Sequence, residues 1–169
     1  MMSAFLKKLL FVRQFDLAEG KIEMLGKREI MLPSNFIFAI QDGNKNTYEL
    51  IKMLTFENIK EWGDKIGSSE EGLIKNIKDI YETFGLGPLE ITDLRNEKEE
   101  ATIVIRESVI AKEYSKIKRS SKGAKCEIIA SILAGMFSYI FGSDVDAVET
   151  KCLFSGSEYC MFNVGKGVR

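Results

Sequence analysis

The chain contains no histidine. Imidazole is therefore excluded as a metal ligand, and so is the side chain that most often serves as a general base near neutral pH. Cysteine, proline and tryptophan are scarce, at 3, 2 and 1 of 169 residues. That length suits a single domain over residues 1–169, with a core large enough to fold without covalent staples. An excess of either charge is also missing: 24 basic residues face 25 acidic ones, and the sequence pI is about 5.7. A general polyanion binder is thereby excluded, and no nucleic-acid partner is expected. No run approaches the ~20 apolar residues of a membrane helix, so no membrane span is expected. The apolar start is broken by Arg13, Gln14 and Asp16 and is followed by no small-residue cleavage site, which argues against a signal peptide. A cytoplasmic location is the expectation. Phosphate-cradling loops, nucleophile elbows and dinucleotide fingerprints are absent too. The stretch Gly85, Leu86, Gly87 reads as a helix stop, not as half of a nucleotide motif. No catalytic residue is assigned, and a binding role is favoured over an enzyme.

What is present gathers in the last third. All three cysteines lie between Cys126 and Cys160, and Glu149 stands three residues before Cys152. A structural zinc takes four ligands in a tetrahedron from thiolate, imidazole or carboxylate. Without histidine, Cys126, Glu149, Cys152 and Cys160 are the set that closes such a shell. Ser155-Gly156-Ser157 is a turn signal between two apolar runs, so residues 145–164 read as a β-hairpin. A three-residue loop there would set Cys152 opposite Cys160, with Cβ atoms about 4.5–5.5 Å apart. Strict alternation puts Glu149 and Cys152 on opposite faces, so the site demands a bulge near Thr150 and Lys151. Two other readings stay open: a Cys152–Cys160 disulfide and plain burial of all three cysteines. A reducing cytosol favours the metal, whereas a Lys-, Glu- and Ile-rich composition resembling that of hyperthermophiles keeps the disulfide in play.

The rest of the chain alternates extended and helical patterns. Residues 5–33 read as an N-terminal meander of short strands. Phe36–Ile40 reads as one or two helical turns. Helices follow with apolar faces at Leu50, Met53, Leu54, Ile59 and Trp62, then at Leu73, Ile74, Ile77, Ile80, Tyr81 and Phe84. Asn46 with Glu49, and Ser68 with Glu71, resemble capping boxes. Residues 89–94 and 101–109 read as a second hairpin. The six basic residues of 112–125 (Lys112, Lys116, Lys118, Arg119, Lys122 and Lys125) read as a solvated loop. Helix 124–141 has a wide apolar face and a stripe of small residues, Ser131, Gly135, Ser138 and Gly142. Gly inside a helix costs about 1 kcal/mol relative to Ala, so Gly135 suggests close approach of another backbone. The element order predicts an α+β fold, an antiparallel sheet with packed helices.

Cys126 opening a helix that contains Gly135, followed by Val148, Glu149, Cys152, Gly156, Cys160 and Phe162 at fixed spacing, resembles the 4-vinyl reductase domain family. The resemblance is concentrated in residues 120–165. That family includes small-molecule- and hydrocarbon-binding proteins and the effector domains of phenol-responsive activators. The resemblance implies structural zinc at Cys126, Glu149, Cys152 and Cys160, and a compact fold related to vesicle-tethering (TRAPP) components and nitric-oxide-sensing domains. It implies a homodimer and an apolar ligand chamber, for which Ile103, Ile105, Ala130, Leu133, Ala147 and Phe162 are the candidate lining. The phenol sensors hold the phenol hydroxyl with a His and a Trp. Here there is no His, and the Trp position falls on Ile105. A more hydrophobic ligand is expected, bound by a sensor or carrier that acts through a protein partner. Reduction of a tetrapyrrole vinyl group, as enzyme or accessory subunit, and a tethering or scaffold role are the alternatives.

Overall fold

The computed structural model describes residues 4–13, 15–18, 20–43, 47–66, 70–117 and 126–169. They fall into two compact units, Met1–Pro33 and Ser34–Arg169. The first unit holds helix α1 (Ala4–Phe11) and an antiparallel meander of β1 (Phe15–Ala18), β2 (Lys21–Met24) and β3 (Lys27–Glu29). The strands are thus confined to 15–29, and the segment around Leu10 is helical instead of extended. The run AFLKKLLF explains this, because Leu6, Leu9 and Leu10 recur at helical spacing.

The second unit begins with three helices: α2 (Ser34–Gly43), α3 (Thr47–Ile66) and α4 (Glu70–Thr83). The hairpin β4 (Leu89–Arg95) and β5 (Glu100–Ile105) follows, then α5 (Val109–Ile117), α6 (Glu127–Phe141) and the hairpin β6 (Asp146–Lys151) and β7 (Cys160–Gly165). The four strands form one antiparallel sheet in the order β4-β5-β7-β6. This is the expected α+β class. The second hairpin stops earlier than its apolar pattern suggests, since β5 ends at Ile105 and residues from Val109 are helical. Ile110, Ala111 and Tyr114 are buried along one side of α5, and their burial outweighs the β-branched start of the segment. Lys112 and Lys116, expected in a loop, therefore sit on this helix and pair with Glu107 and Glu113. The remaining basic residues of that run, and the caps expected at Asn46 and Ser68, lie outside the described residues.

Antiparallel register fixes which side chains share the inner face of the sheet. Ile105 stands opposite Cys160, Ile103 opposite Phe162 and Ala101 opposite Val164. On the other side of β7, Phe162 faces Glu149 and Val164 faces Ala147. Directly opposed residues point to the same side, and all of these are buried. Helix α6 covers them. It is buried almost all round, as a helix apolar on every side must be, and α3 packs along it. The close approach expected at Gly135 is present: a Cβ there would lie 2.5 Å from the Lys52 carbonyl oxygen and 2.7 Å from Thr55 Cβ. Gly142 ends the helix in the left-handed conformation, φ 64°, with its N–H donating to the Tyr139 carbonyl.

Candidate metal centre

Cys126 occupies the position just before the first turn of α6, with its side chain turned away from a capping role. Its backbone N–H donates to Glu149 Oε2 at 3.0 Å. The carboxylate thus lies at the positive end of a 15-residue helix, where negative charge is stabilised. Glu149 reaches this place because β6 is irregular. Glu149 pairs with Phe162 and Lys151 with the next residue, Met161, so one extra residue is absorbed at Thr150. This is the bulge the ligand spacing demanded. Beyond it, Cys152 leaves the strand and a short 3-10 turn, Leu153–Ser155, closes the hairpin. The Cys152 carbonyl accepts the N–H groups of Ser155 and Ser157 at 3.0 and 3.2 Å. The connection is therefore a hydrogen-bonded turn running from Cys152 to Tyr159, longer than the three-residue loop expected. It achieves the same end, since Leu153 N–H donates to Cys160 Sγ at 3.4 Å.

One ligand atom from each of Cys126, Glu149, Cys152 and Cys160 lies within 4.8 Å of all the others, and all four residues are buried. The Sγ atoms of Cys126 and Cys160 are 3.8 Å apart. A tetrahedral zinc with bonds of about 2.3 Å to sulfur requires sulfur–sulfur edges of about 3.8 Å. A disulfide requires about 2.05 Å, and the three cysteines are free thiols. The donor set therefore fits a soft divalent cation with a full shell. Hydrogen bonds from Cys126 and Cys160 hold the Cys152 thiol far below its ordinary range. The same bond to Cys152, then that to Cys160 and burial, drives Cys126 up. For Cys160 the bond to Cys126 pulls down, but the bond to Cys152 and burial prevail and raise it. One thiolate is favoured in the bare cluster, and the other two are held as its donors.

Two neighbours of the cluster escaped the sequence reading. Ser108 Oγ lies 3.4 Å from Cys126 Sγ and accepts the Ala111 N–H, so it ties the start of α5 to the cluster. A serine just before a helical run was the available signal. Tyr81 is fully buried on α4, and its hydroxyl has no hydrogen-bond partner among the described residues. Burial, then the nearby Cys126 and Cys160 sulfurs, push that hydroxyl well above its usual pKa. Nothing local distinguishes it from the apolar stripe it belongs to. The six residues expected to line a chamber, Ile103, Ile105, Ala130, Leu133, Ala147 and Phe162, all lie in the core at 0–1% exposure. No helix among the described residues is long and apolar enough to cross a membrane.

A helix-covered antiparallel sheet with a buried cluster of three cysteines and a glutamate defines the class, and comparison with known proteins places it further. Residues 102–166 match the model of the 4-vinyl reductase domain, so the resemblance to that family is borne out over the segment from β5 to β7. No curated protein matches the sequence. Among solved structures, the phenol-responsive sensory domain of the transcription activator PoxR, determined with phenol, superposes with a TM-score of 0.73 at 17% identity, covering 96% of this chain and 90% of that one. A vinyl-4-reductase family protein from Methanocaldococcus jannaschii gives 0.54 at 20% identity, covering 97% and 95%. Subunit 3 of a trafficking protein particle complex from Naegleria fowleri, covalently bound to palmitic acid, gives 0.52 at 15% identity, covering 80% and 82%. At these identities the likeness is one of fold.

Proposed function

We propose that this protein is a small-molecule-binding domain whose C-terminal part is pinned by a structural zinc ion held by Cys126, Glu149, Cys152 and Cys160. The observation that carries the metal is the convergence of four buried ligand atoms within 4.8 Å from three separate segments. Zinc would neutralise part of the charge of three thiolates and a carboxylate, and would clamp the start of α6 to the β6–β7 turn. With four protein ligands the shell has no open position for water, so the role is structural.

The ligand class follows from the family match and from the core. Of the proteins that share the fold, one was solved with phenol and another with palmitic acid. A hydrophobic small molecule is the class common to both. Ile103, Ile105, Ala130, Leu133, Ala147 and Phe162 are the proposed chamber wall, and the absence of histidine argues against a phenol. The protein would act as a sensor or carrier, as a homodimer in the cytoplasm, through a protein partner. Native mass spectrometry of protein purified without added metal tests the reading. One zinc per chain is expected, and further bound mass would be the ligand. A metal-free chain two hydrogens lighter would replace the zinc with a disulfide and sink the proposal.

A further inference from the structure

We propose that the groove between α3 and the C-terminal end of α6 is a separate binding site for an uncharged, largely apolar molecule of drug-like size. This goes beyond the zinc-pinned chamber, because none of the chamber residues or metal ligands takes part.

The close crossing at Gly135 brings α3 onto α6, and beside it lies a cavity of about 540 Å³. Ligand pockets for small molecules commonly measure about 300–1,000 Å³. Met53, Phe56 and Tyr139 supply its apolar surface. Phe56 and Tyr139 meet edge to face with ring centroids 6.3 Å apart, which leaves an aromatic platform against which a flat molecule can stack. Met53 is 49% exposed at the same place, a flexible and polarisable side chain with room to adapt.

The polar groups of the groove define what it will not take. Lys52 is bound at 2.8 and 2.7 Å to Asp144 and Asp146, so its ammonium is already neutralised. Glu49 and Lys60 are the other charged residues of the lining, and with Lys52 and Asp144 they sum to zero. An anion or a cation would gain no net attraction there, and would lose hydration against the aromatic wall. The charged residues also interrupt the apolar surface at intervals along α3. A partner helix needs a continuous apolar stripe, which this groove does not offer, whereas a compact ligand fits between the charges.

The full chain, as purified, is titrated with 1-aminoanthracene, a neutral reporter that fluoresces in apolar surroundings, and the amide spectrum of labelled protein is followed in parallel. One saturable site per chain is expected, with amide shifts gathered at 52–56 and 138–144. Met53→Glu should weaken binding at least tenfold with melting temperature and zinc content unchanged. Shifts centred on Ile103, Ile105, Leu133 and Phe162 would assign the ligand to the core chamber and overturn the groove while leaving the proposed function standing. Non-saturable binding, or equal affinity in Met53→Glu, also overturns it. Absence of zinc by mass would end the metal reading without touching this test.

Discussion

At its first turn, α6 meets three sulfur atoms and a carboxylate; at its last turn it meets a half-open groove. Both ends belong to one helix, yet they are held by different forces. The Cys126 end is tied by directional contacts: an N–H to Glu149 at 3.0 Å, a serine hydroxyl at 3.4 Å and a sulfur at 3.8 Å. The Gly142 end is held by shape, because the absence of a side chain at Gly135 lets the α3 backbone approach. Directional bonds with a metal in view tolerate no exchange of donor type. Packing tolerates exchange as long as volume is kept.

That contrast can be broken from either side. The largest effect is expected at the cluster. Cys152→Ser should abolish stoichiometric zinc and cost several kcal/mol, since structural zinc binding is coupled to folding. At about 2–4 °C per kcal/mol for a chain of this size, the loss is visible in a melting curve. Metal content and melting temperature equal to wild type would refute the site. Next comes Phe162→Ala, which empties the core between Ile103 and Glu149. Chemical denaturation should show a loss of about 3–5 kcal/mol. Gly135→Ala is expected to cost roughly 1–3 kcal/mol through overpacking. Its Cβ meets backbone that cannot yield, which outweighs a helix-propensity gain of about 1 kcal/mol. A more stable variant would mean that α3 can move away. The smallest effect belongs to Lys52→Met, about 1 kcal/mol, because Asp144 is 85% exposed and Asp146 31%. A thermal shift that vanishes at high salt would show that the ion pair, and not the lysine stem, carries it.

Much of the cluster was legible in the chain because it depends on local rules. The turn at Ser155–Ser157, the periodicity of α6 and the odd spacing from Glu149 to Cys152 each constrain a few neighbouring residues, and the structure satisfies all three. Gly135 was legible for a similar reason, as a costly residue at a helix centre. What escaped depends on distant partners. Tyr81 looks like one more member of an apolar stripe until β7 and α6 bring sulfur beside it. Ser108 reads as a helix cap, and only the fold adds its contact with Cys126. Helix α5 begins with Val109 and Ile110, which favour strands locally, and burial of Ala111 and Tyr114 decides otherwise. The α3–α6 groove is a product of two helices crossing, and no window of sequence contains it.

The irregularity at Thr150 also has an evolutionary reading, in the arithmetic of insertions and deletions. Side chains on a strand alternate, so ligands share a face when the step between them is even. From Glu149 to Cys152 the step is three, and the bulge absorbs one residue to make it effectively two. Deleting Thr150 would shorten the step to two and iron out the bulge, yet keep both ligands on one side. Deleting Thr150 and Lys151 together would leave a step of one and turn them apart. The single deletion should retain zinc and the double deletion should lose it, so that the smaller lesion and the larger one differ in kind: the centre is protected by parity rather than by length.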